Sequence, residues 1–234
     1  SEQTNGVLKP DVSFQGNQLL TLLNTIYFKD EWMDRFERRQ TKPDAFYVSA
    51  QQTVQCDYMN RTYAMHPYTR GEGFTRSALS LKNGGRMVFI LPDQGVSVDT
   101  LFASPQKAAS LFLGVDQGTG KVVFQIPKFS FGSKLNLKKT LHAMGVRCAF
   151  ESDQADFSGM TQDQAFFSQI LQETHIAIDE KGVEAAAFTK LDYAGTAAPN
   201  EKEAYMILNR PFLYGIVSDG VLLFAGVCNQ PAES

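Results

Sequence analysis

The sequence predicts an α+β fold in which strands outnumber helices, and three observations carry that prediction. Apolar residues recur mostly in short alternating or continuous runs bounded by Gly, Pro, Asn and Asp, the pattern of strands and turns. Helical spacing is confined to three short segments, residues 98–102, 106–113 and 135–145. No regular alternation of strand and helix, the mark of a doubly wound parallel sheet, runs along the chain. The 234 residues are 43% hydrophobic and 20% charged, which suits one domain, or two small ones, with a sizeable core. The formal charge of −3 is spread without a basic block and excludes a nucleic-acid surface as the main function. No apolar run approaches the roughly 20 residues of a membrane helix, and no basic-then-apolar leader opens the chain.

Residues 19–28 are almost continuously apolar, as in a strand buried on both faces, with Asn24 the one amide inside and in need of partners. Residues 34–42 are charged and expected to be exposed. Two strand-like runs lie around Gln51-Gln52 within residues 46–58. Residues 74–82 and 86–91 flank Asn83-Gly84-Gly85, a hairpin signal, and Pro92-Asp93-Gln94-Gly95 is a turn. The glycine-rich run at 114–121 is no phosphate loop: its glycine spacing is one residue too long, and Val122 stands where a Ser or Thr would hold magnesium. Residues 121–131 alternate as a strand, with Pro127 suited to a bulge or an edge. In the segment 135–145, Leu137, Leu141 and Met144 recur at helical spacing and Gly145 stops the helix. Residues 151–159 form a polar turn region, and 166–178 a long strand. Three more strands follow at 205–208, 213–217 and 221–228, the last two joined at Ser218-Asp219-Gly220.

Between the strand ending at Gly182 and the one starting near Ala204 lie about twenty residues with no element of their own, long for a compact domain and in such cases functional or disordered. If this stretch extends, Val183, Ala185, Ala187 and Thr189 share one small, uncharged face, while Glu184, Ala186, Phe188 and Lys190 share the other. A strand with one buriable face, an alanine-rich surface loop and a local helix all fit this composition. Catalytic signals are missing. His66, His142 and His175 stand outside any nucleophile-elbow or zinc motif, so nothing makes a positive case for an enzyme. Cys56, Cys148 and Cys228 form no C-x-x-C pair and read as free thiols. Asn60-Arg61-Thr62 matches a glycosylation triplet of low specificity.

Glu180-Lys181-Gly182-Val183-Glu184-Ala185-Ala186-Ala187 resembles the hinge of the serpins, suicide inhibitors of proteases whose exposed loop is cut and then inserts into a central sheet. Five further segments resemble that family's motifs, in its order: residues 24–32 (N-T-I-Y-F-K-D-E-W), 126–129 (I-P-K-F), 155–160 (A-D-F-S-G-M), 209–213 (N-R-P-F-L) and 223–226 (L-F-A-G). The resemblance implies a β-rich, multi-sheet serpin fold with an exposed reactive-centre loop over about residues 180–204. It places Ser1 just after the family's sixth helix, so residues 1–234 are expected to be one domain lacking its N-terminal helices, with any export signal upstream. An extracellular or cell-surface location is then expected, a cytoplasmic one being the alternative.

The resemblance also implies roles. Glu180, Gly182, Val183, Glu184, Ala185, Ala186 and Ala187 form the hinge, whose small side chains slide between two strands. Asn24, Trp32, Lys128 and Gln172 belong to the region where the sheet opens, with Lys128 and Glu180 as an ion pair beside Trp32. Gln172 departs from the family, many members of which carry a histidine there. It can still donate and accept, without titrating near neutral pH. The scissile residue lies fourteen after the hinge glycine, which gives Thr196 with Ala197 following. Counting back from Pro211 moves the cut towards Asn200, and Tyr193 and Lys190 are further options. The implied partner is a target serine protease, held as a covalent acyl complex. No cofactor, metal, nucleic acid or membrane is called for, and a monomer able to form loop–sheet polymers is expected. The alternative is a non-inhibitory relative, cleaved only as a substrate, in which bulky or charged residues would face inward at the hinge.

Overall fold

The computed structural model describes residues 20–102, 104–183 and 203–231. The apolar run near the start forms strand β1 (Leu20–Tyr27), and two residues on comes the short β2 (Asp30–Glu31). The charged stretch turns once as a 3-10 helix at Arg38–Gln40 before β3 (Lys42–Tyr47) and β4 (Thr53–Gly71). The Ser49 hydroxyl holds the turn between them, accepting from the Gln51 and Gln52 amides at 3.2 and 3.1 Å. The predicted hairpin is β5 (Phe74–Ser80) and β6 (Arg86–Pro92), with Gly84 at φ +89° in its turn. Helices α1 (Val98–Leu101) and α2 (Pro105–Leu113) begin on the side chains of Ser97 and Ser104, which accept from Asp99 and Lys107 amides. Then come β7 (Gly118–Pro127), β8 (Phe129–Asn136), α3 (Lys138–Ala143) and β9 (Phe167–Ile178). The chain closes with β10 (Gly182–Val183), β11 (Glu203–Ile207), β12 (Phe212–Ser218) and β13 (Val221–Cys228).

Four elements differ from expectation, one being β4, which runs on to Gly71 instead of ending at Tyr58. The strand at 121–131 is broken at Lys128, because Pro127 ends the ladder of β7. The helix at 135–145 shrinks to six residues, none buried, since β8 runs on to Asn136 and the Leu137 amide donates to the Ile170 carbonyl at 2.8 Å. Strand pairing thus takes over the first half of the apolar pattern, and Met144 is left 75% exposed. β1 is not buried on both faces: Leu22, Leu23 and Asn24 in its middle are exposed.

Two compact units can be distinguished, Ser1–Phe28 with Phe131–Ile176, and Lys29–Ser130 with Ala177–Ser234. In the first, β1 runs parallel to β9, from Leu20 opposite Phe167 to Tyr27 opposite His175, with one irregularity between Leu20 and Thr21. β8 also pairs with β9, and Lys134 meets Glu173 at 3.0 Å.

The second unit holds eight described strands in one sheet, ordered β11-β7-β4-β5-β6-β12-β13, with β3 added to β4. β4 changes partner along its length, from β3 to β7 to β5. β12 and β13 meet at a turn in which Asp219 (φ 49°) and Gly220 (φ 75°) are both left-handed, as a primed two-residue hairpin turn requires. The core of this unit combines an aliphatic cluster, including Val88, Ile90, Leu111 and Leu213, with a group of aromatic rings. Phe212 lies within 6.2–6.5 Å, centroid to centroid, of Phe46, Phe89 and Phe129. Arg76, 4% exposed, is neutralised by Asp116 at 2.9 Å and donates to the carbonyls of Ser110 and Leu111 at the end of α2.

Candidate functional site

The end of β9 leads into a tight reversal. The Asp179 carboxylate accepts from the amides of Lys181 (2.8 Å) and Gly182 (3.2 Å), and its own amide donates to the Gly182 carbonyl at 3.0 Å. A short acid at such a position holds a turn through its side chain. The reversal sets Val183 antiparallel opposite Ile178 of β9. On its other edge, β10 pairs antiparallel with β2, Gly182 opposite Glu31 and Val183 opposite Asp30. These two residues are therefore flanked by a strand on each side, and Val183 is fully buried. Only glycine fits at 182: a Cβ there would stand 2.3 Å from the Asp30 carbonyl oxygen and 2.5 Å from the Glu31 Cα.

Glu180 sits inside the turn, 5% exposed. Its Oε1 accepts from the Thr41 hydroxyl at 2.8 Å, its Oε2 lies 3.4 Å from Lys128 Nζ, and its carbonyl accepts from the Phe36 amide at 2.9 Å. Burial pushes this carboxyl up, but its own backbone amide, the Thr41 hydroxyl and Lys128 together outweigh burial and hold it below its ordinary value. Trp32 completes the site. Its indole N–H donates to the Asp179 carbonyl at 2.8 Å and its backbone amide to the Lys181 carbonyl at 3.0 Å. Its ring meets Phe36 edge-on at 6.1 Å and Phe89 at 6.5 Å, which joins the site to the aromatic core.

Of the residues singled out in the sequence, Trp32, Lys128, Glu180, Gly182 and Val183 come together here, within the second unit. Asn24 and Gln172 meet in the first unit, directly opposite each other across β1 and β9, with Asn24 Nδ2 donating to Gln172 Oε1 at 3.3 Å. That contact is exposed, so Asn24 is not the buried amide the apolar run suggested. Glu184, Ala185, Ala186, Ala187, Lys190, Tyr193, Thr196, Ala197 and Asn200 lie outside the described residues. Thr41 and Asp179 escaped the sequence reading. Asp179, a short acid three residues before a glycine, carried a turn signal; Thr41, 139 residues from Glu180 in sequence, carried none.

The groups gathered here hold backbone rather than make or break bonds. His66 stacks on Tyr63 at 4.5 Å and lies 2.8 Å from the Ala78 carbonyl, its ionisation pushed down by burial. Cys56, Cys148 and Cys228 are free thiols. Asn60 sits within β4 with its amide nitrogen donating to the carbonyls of Gln40 and Tyr58. No described helix is long and apolar enough to cross a membrane.

Comparison with known proteins gives one consistent result. A family model described as "Serpin (serine protease inhibitor)" matches residues 1–231. A serine protease inhibitor of Mus musculus is 33% identical over 98% of this chain and 56% of its own length. The alpha-1-antitrypsin homolog of Cyprinus carpio is 33% identical over 92% of the chain and 57% of its own. The chain spans a little over half the length of the curated relatives it matches. Among solved structures, the insect serpin Serpin48 of Tenebrio molitor superposes with a TM-score of 0.82 at 26% identity, covering 99% of this chain and 62% of its own. Human thyroxine-binding globulin superposes at 0.84, also at 26% identity and with the same coverage.

Proposed function

We propose, for a chain that belongs to the serpin family, that the protein inhibits serine proteases as a suicide substrate and performs no catalysis of its own. One observation carries the reading: the hinge residues Gly182 and Val183 already lie as a strand between β9 and β2, antiparallel to both. Gly182 and Val183 thus stand where a strand added beside Ile178 would begin.

In this reading the protease hydroxyl attacks the Thr196 carbonyl. The Thr196–Ala197 amide bond breaks, an acyl ester forms, and the hydroxyl proton leaves on the new amino terminus at Ala197. The freed segment then enters between β1 and β9. One parallel ladder becomes two antiparallel ones, a pairing slightly more stable per residue. With about 0.5–1.5 kcal/mol net per hydrogen bond, a dozen residues give a driving force on the order of 10 kcal/mol. The small side chains of Val183, Ala185 and Ala187 suit burial in a closing sheet, which disfavours the non-inhibitory alternative. Ala194, Gly195 and Ala198 around the bond point to an elastase-like or subtilisin-like target with a shallow pocket.

Incubation with an elastase-type serine protease, followed by denaturing electrophoresis and mass spectrometry, tests this. The expected result is a denaturant-resistant complex with release of a peptide beginning at Ala197. Clean cleavage that leaves the protease fully active would refute trapping and leave a substrate.

A further inference from the structure

The outer wall of the hinge slot, β2, is only two residues long and makes no extended ladder. Its hold comes from the turn between β5 and β6. The Lys82 amide donates to the Glu31 carbonyl at 2.9 Å, the Met33 amide to the Ser80 carbonyl at 2.8 Å, and Trp32 bridges to Leu81. Side chains reinforce this. Asp30 is 5% exposed, and its carboxylate accepts from Asn83 Nδ2 at 3.0 Å, the Asn83 amide at 3.3 Å and the Glu31 amide at 2.7 Å. A carboxylate this buried needs such donors to stay. Glu31 receives both Lys82 and Arg35 on one oxygen, the latter at 2.6 Å. On the opposite edge, the same two residues pair with Val183 and Gly182. Hinge and turn therefore grip the two edges of one dipeptide.

We infer that Asn83 and Lys82 are positioning residues for the hinge: the β5–β6 turn latches β2, and the latch governs how firmly the slot holds Gly182 and Val183. This rests on the suicide-inhibitor reading for its consequence, since a slackened slot would slow insertion and turn the loop into a substrate. The latch itself does not require that reading. Asp30 acts through β2 and Asn83 through Asp30; neither contacts the protease.

The single tryptophan makes the test direct. Trp32 is fully buried and its indole is bonded to Asp179, at the entry to the hinge. In Asn83→Asp a second carboxylate faces Asp30, and acrylamide quenching of Trp32 should rise at least twofold. The double variant Asp30→Asn with Asn83→Asp restores a donor opposite an acceptor and should return quenching towards the original value. Lys121→Ala, which removes an ion pair to Glu203 elsewhere in the same unit, should leave it unchanged. Where Asn83→Asp does not fold, Asn83→Ser takes its place, with folding followed by circular dichroism. Unchanged quenching in the Asn83 variants, or an equal rise in Lys121→Ala, overturns the latch, and so does a double variant that fails to recover. If the unmodified protein traps no protease while quenching responds as stated, the latch stands and the suicide reading falls.

Discussion

β12 and β1 read nearly alike as sequence and behave oppositely as structure. Six of the seven residues of β12 are buried, whereas no residue of β1 is, and its central three are exposed. β12 is paired antiparallel on both edges, with β6 and β13, and carries Phe212 into the aromatic cluster. The described partner of β1 is β9 alone, in parallel, with an exposed amide pair at its middle. Apolar content alone does not say which strands are locked. Ladders on both edges and interleaved rings make a fixed wall; among the described residues β1 has one parallel ladder, a seam held on one side.

The largest effect should come from breaking the wall. Phe212→Ala should cost roughly 3–5 kcal/mol in urea unfolding, the usual range for a fully buried aromatic ring. A loss below about 1 kcal/mol would mean that the cluster does not anchor the second unit. Next, Glu180→Lys places a second cation beside Lys128 and removes the carboxylate that Thr41 donates to; for this partly buried pair the cost should fall between the surface value of about 1 kcal/mol and the roughly 3–5 kcal/mol of a fully buried one. Monomer should be lost to polymers on gentle heating; an unchanged monomer peak in size-exclusion chromatography would contradict the hinge assignment.

Acid should separate the regions more gently. Glu180 and Glu31 both titrate below the ordinary 4.5, Glu31 because Lys82 and Arg35 bond to it. A depressed carboxylate contributes stability that is present above its unfolded pKa and lost as pH falls through its folded one. Trp32 emission should therefore shift below pH 4.5, before circular dichroism of the large sheet changes. Coincident transitions would show that hinge and sheet respond as one. The smallest effect belongs to the seam: Asn24→Ala removes one exposed hydrogen bond and should cost no more than about 1 kcal/mol. A larger loss would mean that β1 is held more firmly than its pairing implies.

Much of this was legible beforehand, for local reasons. Asn83-Gly84-Gly85 and Asp219-Gly220 marked their turns because those backbones need left-handed residues. Trp32, Phe129 and Phe212 were each found through separate motifs, but their meeting in one cluster runs through Phe89, which no motif flagged. The sequence pattern marks β4 only to Tyr58, because its later residues switch partners, carry Pro67 and break register between Tyr63 and His66. The Glu180–Lys128 pair was proposed from family resemblance, whereas Thr41 was invisible. A hydroxyl in a charged run gives no hint of a contact made across the whole fold. The exposure of Leu22 and Leu23 was missed because continuous apolar runs look the same whether or not a layer covers them.

The three thiols differ in a way that has practical value. Burial pushes the Cys228 thiol beyond easy ionisation and raises that of Cys56, while Cys148 stands exposed on its 3-10 turn. A maleimide dye should therefore mark Cys148 first. That residue belongs to one compact unit and Trp32 to the other. The unmutated chain thus carries one native fluorophore and one selectively addressable thiol, so each unit can be followed by its own probe without substitution.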